Sequence, residues 1–150
     1  VYGVADHIEF ILCDYISFAR SYLSRPRKDR TIDVVFLSPP WGGPGYLAGS
    51  VEEASAPALA AHPEYSLSSV QPLHGAELFA LTRQLTPNVA YFLPRNTRLS
   101  EIAGLLGGCP EEHVEVEEEW MGSKLKALTC YFGGLVAGQE ALFGQPSAAA

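Results

Sequence analysis

The sequence predicts an α/β fold: a largely parallel sheet closed at its C-terminal edge by an antiparallel hairpin. Two observations carry this. Short apolar runs at residues 8–12, 34–37 and 89–93 alternate with stretches whose apolar residues recur at helical spacing. Two further strand-like runs, 113–120 and 125–132, are separated only by Met121-Gly-Ser-Lys124, which suits a hairpin. At 150 residues the chain has room for one ordinary domain and not for two, and a content of 47% hydrophobic and 18% charged residues suits a packed core.

Taken in order, residues 7–12 read as a first strand that stops at Cys13-Asp14. Ile16, Ala19, Tyr22 and Leu23 then fall on one helical face, and Pro26 bounds that helix. Residues 33–37 read as a strand buried on both faces, since four consecutive apolar residues leave no polar side for water. Residues 47–72 are rich in Ala, Ser, Pro and Gly with little periodicity and read as a long, dispensable loop with a helical turn near 58–61. Leu78, Leu81 and Leu85 mark a helix from about Gly75, and Thr86-Pro-Asn88 closes it. Residues 89–93 form the next strand, Pro94-Arg-Asn96 its exit loop, and Leu99, Ile102, Ala103 and Leu106 a short helix stopped by Gly107-Gly108. After the hairpin, residues 138–150 are expected to fray.

Composition excludes several classes. No apolar run approaches the roughly 20 residues needed to span a bilayer, and no signal-peptide layout is present, so a soluble intracellular protein with no membrane partner is expected. Cys13, Cys109 and Cys130 and the four scattered histidines match no metal-ligand spacing. A net charge of −7 argues against sequence-blind clamping of a long nucleic acid, though not against a small nucleotide target. The one basic cluster, Arg25-Pro-Arg-Lys-Asp-Arg30, reads as a solvated connector.

Chemistry is expected at the carboxyl ends of the strands, where open α/β sheets bind ligands. Those ends are Cys13-Asp14, Ser38 to Trp41 and Pro94 to Asn96, three constrained loops expected to converge on one crevice. In Ser38-Pro-Pro-Trp-Gly-Gly-Pro44 the prolines stiffen the backbone, so the carbonyls stay where they are put. Such a loop offers a planar amine acceptors for its protons and a flat ring to lie on. Trp41 is the expected stacking residue, held between Pro-Pro and Gly-Gly where a packing residue needs no such loop, whereas Trp120 is expected in the core.

Ser38-Pro-Pro-Trp-Gly-Gly-Pro44, Val89-Ala-Tyr-Phe-Leu-Pro-Arg-Asn96 and Lys124-Leu-Lys-Ala-Leu-Thr-Cys-Tyr-Phe-Gly133 together closely resemble the catalytic domain of the trimethylguanosine synthase family, the RNA cap guanosine-N2 methyltransferases. The likeness runs from residue 1 to about 136, with 47–61 looking like an insertion, and a partial methyltransferase domain is expected over 1–137. It implies a Rossmann-like class I methyltransferase sheet and transfer of methyl groups from S-adenosylmethionine to the exocyclic N2 of a 7-methylguanosine cap. The substrates it implies are capped small nuclear and nucleolar RNAs, and the location it implies is nuclear, with a cytoplasmic pool also open. Ser38 and the Pro39 carbonyl become the candidate catalytic acceptors of the amine's hydrogens, with Pro39 also against the donor. Trp41 becomes the platform for the cationic purine. By resemblance Tyr46, Arg95 and Lys124 face the phosphate bridge, and Asp14 receives the donor's adenine amine. A lone Asp after a strand is otherwise a turn former or helix cap.

One departure concerns the donor. The family's opening strand, glycine-rich turn and second, acid-ended strand are not recognisable, so this chain resembles the last two thirds of the catalytic domain. The donor site is expected to be incomplete and the isolated chain inactive, with an exposed apolar edge at the strand from Asp33. Other readings are an amino-group methyltransferase on DNA or ribosomal RNA, where Asp or Asn commonly stands in the place of Ser38, and a noncatalytic cap-binding module. A polyproline docking segment is disfavoured by its place directly after a buried strand.

Overall fold

A computed structural model describes residues 2–42, 64–108 and 111–138 of the chain. The chain divides into two compact units, 1–31 and 32–150.

In the first unit one helix, α1, spans Tyr15–Leu23. Asp14 stands before it in extended geometry, and its Oδ1 accepts the Ser17 N–H at 2.8 Å, which satisfies one of the orphan donors of the first turn. Ala19 and Tyr22 are buried, and Phe18 stacks on Tyr22 at 6.2 Å. The basic cluster closes the connector on itself: Arg30 donates to the carbonyls of Leu23 and Arg25, and the Arg25 guanidinium lies 5.7 Å from the Tyr22 ring centre. The strand expected at 7–12 does not form. A 3-10 turn occupies Ala5–His7, residues 8–12 pair with no strand among the described residues, and Phe10 and Leu12 are exposed. Apolar character alone does not make a strand, because its backbone groups need a neighbouring ladder.

The second unit holds a four-stranded sheet of β1 (Val35–Leu37), β2 (Val89–Pro94), β3 (Val114–Met121) and β4 (Lys124–Phe132), in the order β1-β2-β4-β3. β1 and β2 are parallel, and the other pairs are antiparallel. Without a strand at 7–12 only one parallel pair remains, so the sheet is mixed and mostly antiparallel. β1 is its edge, and Phe36 is 62% exposed there, so this strand is not buried on both faces. β1 is anchored at its start by Thr86 and Asn88, whose side chains both donate to the Asp33 carbonyl.

The alternation of the strands separates two faces. Val89, Tyr91 and Leu93 of β2 share one face with Leu128, Cys130 and Phe132 of β4, and all six are buried. Helix α2 (Gly75–Thr82) covers them: Phe79 stacks 5.9 Å from Tyr91 and tilts 4.5 Å from Phe132, while the Tyr91 hydroxyl donates to the Gly75 carbonyl. Burial here pushes the Cys130 thiol up to about 12. The opposite face carries Phe36, Phe92 and Tyr131 beside Glu117 and Glu119 of the edge strand. The Tyr131 hydroxyl donates to Glu117 at 2.6 Å, and Thr129 donates to Glu119 at 2.6 Å.

Three expectations are corrected in this unit. The described part of the loop, 64–72, is not dispensable: Tyr65, Leu67 and Val70 are among the most buried residues of the chain. Helix α3 (Leu99–Gly104) turns only Ile102 fully inward and leaves Leu99 exposed, because six residues make too little helix to bury a continuous stripe. Trp120 is 57% exposed rather than core. It lies at the turn end of the edge strand, on the face where Val116 and Glu118 are exposed as well, and its Nε1 donates to Glu118. The helical turn expected at 58–61, Cys109 and residues 139–150 lie outside the described residues.

Candidate nucleotide-binding rim

The carboxyl ends of β1 and β2 and the tip of the β3–β4 hairpin share one rim of the sheet. Leu37 lies opposite Tyr91, and Pro94 opposite Ala127, so Arg95 and Lys124 both continue past that row toward the rim. Arg95 donates from Nη1 to the Leu125 carbonyl at 3.1 Å, which sets its guanidinium beside the exposed Lys124. Ser38 is exposed, and Pro39 and Trp41 are half-buried on the same rim.

The sequence itself dictates why the ladder stops there. The Val35 N–H donates to the Asn88 carbonyl, which sets the pattern of the parallel pair: alternate residues of β1 donate to and accept from alternate residues of β2. Two steps on, that pattern opposes the Pro39 nitrogen to the Phe92 carbonyl and the Pro39 carbonyl to the Pro94 nitrogen. Neither proline has an N–H to give. The pairing must end after Leu37, and two carbonyls are left at the rim without a ladder donor. Phe92 receives another: the Trp41 indole Nε1–H reaches its carbonyl at 3.3 Å, and the two rings lie 5.2 Å apart at 35°. The Phe36 ring continues the row, 5.8 Å from Phe92. Trp41 is therefore an oriented plate at the rim, not a tryptophan lost in the interior.

A second support comes from the segment the sequence reading set aside. Pro40 O accepts the Gln71 N–H at 3.5 Å, and Gly42, at φ +87, runs past the Ser69 carbonyl where an added Cβ would come within 3.6 Å of it. That segment is itself held by Glu101 of α3. Its Oε2 accepts the buried Leu67 N–H at 2.6 Å and the Ser66 hydroxyl at 3.3 Å. Tyr65 is tied to the exit loop of β2 by Tyr65 N–H to Asn96 O at 2.7 Å and Arg98 N–H to Tyr65 O at 3.0 Å. Burial, with the Glu101 carboxylate adding to it, pushes the Tyr65 hydroxyl up to about 12.

The structure thus brings Ser38, Pro39, Trp41, Arg95 and Lys124 onto one rim. Asp14 belongs to the first unit, where its carboxyl caps α1, and the hydrogen bonds from Ser17 hold it below its ordinary value. Tyr46 lies outside the described residues. Sequence reasoning missed Phe92 and Glu101. The signal for Phe92 was present, since a proline at 39 leaves its carbonyl open, but it needed the strand register; Glu101 showed no signal at all. A cleft of about 380 Å³ between α2 and α3, lined by Phe79, Arg83, Leu105 and Glu112 among others, lies toward the other end of the sheet. Arg83 there also binds the Pro87 carbonyl just before β2.

Residues 1–135 match the family model described as RNA cap guanine-N2 methyltransferase. The chain is 31% identical over 139 residues to the trimethylguanosine synthase of Schizosaccharomyces pombe, covering 88% of this chain and 48% of that protein. It is 32% identical over 119 residues to the trimethylguanosine synthase of Saccharomyces cerevisiae, covering 69% of this chain and 34% of that protein. The chain therefore spans about half or less of the length of these relatives.

Proposed function

The chain belongs to the RNA cap guanine-N2 methyltransferase family, and from that premise we propose that its rim binds the 7-methylguanosine cap of small nuclear and nucleolar RNAs and presents the exocyclic N2 for methylation. Members of such a family draw the methyl group from S-adenosylmethionine. The observation that carries the reading is the proline-terminated ladder, which supplies an oriented indole and an open carbonyl side by side. The delocalised cation of 7-methylguanine lies on Trp41, where an indole face is the most electron-rich available. The Pro39 carbonyl, opposed by a proline that cannot donate, accepts one amine hydrogen, and Ser38 Oγ accepts the other. An aromatic amine is a weak nucleophile, so orienting its two hydrogens and stabilising the cation that forms are the gains the protein can make. Arg95 and Lys124 face the phosphate bridge, with Tyr46 joining them in this reading. The same reading places the work in the nucleus, where such RNAs mature.

In this reading the donor site is incomplete within the chain. Asp14 is the one side chain assigned to the donor's adenine amine, and one of its carboxylate oxygens is already engaged by the Ser17 N–H.

Calorimetric titration with 7-methyl-GTP and with GTP tests the cap reading. A desolvated cation–π contact should favour the methylated base by about 5- to 30-fold. Trp41→Ala should erase that preference, whereas Arg95→Ala should weaken both nucleotides alike. Equal affinities in the unaltered protein would overturn the cap reading and favour an amino-group methyltransferase acting on DNA or ribosomal RNA.

A further inference from the structure

We infer that Phe92 is a positioning residue for cap recognition: it fixes the plane of Trp41 from beneath and from the edge at once. The inference rests on the cap reading for its functional consequence, but its structural content stands alone. Phe92 meets Trp41 twice. Its backbone carbonyl accepts the indole N–H at 3.3 Å, and its ring lies under the indole at 5.2 Å and 35°. A ring contact alone leaves an indole free to turn in its own plane, and a hydrogen bond alone leaves it free to hinge about the N–H direction. Together they remove both freedoms, and a stacking site depends on that because π contacts fade with tilt and offset.

The carbonyl is available for this purpose only because position 39 is a proline. A residue with an N–H there could continue the parallel ladder, take the Phe92 carbonyl and leave the indole without its acceptor. Pro39 thus serves the platform by what it lacks. Phe36 gives the supporting ring a second aromatic neighbour: it is on the same sheet face by register, 62% exposed and 5.8 Å from Phe92. An exposed phenylalanine on an edge strand contributes little to a core, so its place beside Phe92 gives it a role.

The test separates ring from carbonyl and orientation from stability. Phe92→Leu keeps the carbonyl and removes the ring, Phe92→Tyr keeps both, and Trp41→Phe keeps an aromatic plate but removes its N–H. Phe92→Leu and Trp41→Phe should each lower the preference for 7-methyl-GTP over GTP by about 2- to 10-fold, with GTP affinity little changed, and Phe92→Tyr should restore it. A merely structural role would weaken both nucleotides together. In the nucleotide-free protein, the Trp41 indole proton should exchange slowly with solvent by NMR, and faster in Phe92→Leu. An unchanged preference in Phe92→Leu, alongside its loss in Trp41→Ala, would overturn the role of Phe92 and leave the cap reading intact. If the unaltered protein shows no preference, the cap reading fails, and the indole proton alone decides: fast exchange, or exchange indifferent to Phe92→Leu, overturns the inference.

Discussion

Glu101 should be worth more to this protein than an ordinary surface carboxylate. It is about three-quarters buried, and one of its oxygens accepts the N–H of Leu67, a residue only 1% exposed, together with the Ser66 hydroxyl. A hydrogen bond to a charged acceptor contributes about 1.5–3 kcal/mol, and a buried donor left without a partner costs about as much as that again at the upper end. Glu101→Ala should therefore destabilise the chain by about 3 kcal/mol, while Glu101→Gln, which keeps an acceptor oxygen but not the charge, should cost about 1 kcal/mol. For a chain of this size each kcal/mol lowers the midpoint by about 2–4 °C, so the alanine variant should melt about 6–12 °C early. Urea and thermal unfolding followed by circular dichroism measure both. The loss should also reach the rim, because the segment that Glu101 holds is the one whose Gln71 N–H and Ser69 carbonyl back Pro40 and Gly42. An alanine variant within 0.5 kcal/mol of the parent, or a glutamine variant as weak as alanine, would refute the reasoning.

Gly133 sits at φ +67 with the Pro87 carbonyl 2.3 Å from where a Cβ would stand, so Gly133→Ala should cost about 3 kcal/mol or more in urea unfolding, and a cost under about 1 kcal/mol would contradict the packing. In a Cys109→Ser background, a disulfide reagent at mildly alkaline pH should modify exposed Cys13 at once. Buried Cys130, its thiol pushed up to about 12, should react only on unfolding, and equal rates for the two would sink this assignment. The Asp14 carboxylate is favoured in the native chain, so its cap on α1 should be complete above pH 3.8 and lost as pH falls through its lower native value. NMR titration of the carboxyl should show a midpoint below 3.8, and one at or above that value would remove the cap from the account.

The residues proposed to carry the chemistry were legible in the chain before its fold was known. Ser38-Pro-Pro-Trp41, Arg95 and Lys124 belong to motifs long enough to identify the family, and the alternation of apolar runs with helical spacing was enough to place strands at 33–37 and 89–93, found at Val35–Leu37 and Val89–Pro94, together with α2 and the hairpin. The hidden parts share one character: they depend on what a segment meets. Residues 8–12 are as apolar as β2, yet they pair with nothing among the described residues. Tyr65, Leu67 and Val70 sit in a stretch without periodicity yet are buried, with the β2 exit loop binding the backbone of Tyr65, Glu101 that of Leu67, and Leu67 that of Val70. Trp120 looked like core and is exposed because it stands on the edge strand, on a face where Val116 and Glu118 are exposed as well.

By itself the sequence determined the family, the stiff proline loop and the aromatic, basic and hydroxyl groups of the rim, because side-chain chemistry and proline geometry are local properties. Only the tertiary structure decided that Pro39 lacks the hydrogen the Phe92 carbonyl would take and Pro94 the one the Pro39 carbonyl would take, and that the freed Phe92 carbonyl accepts the Trp41 indole N–H. Which backbone group opposes which is a matter of strand register, and register is set by pairing between segments more than fifty residues apart.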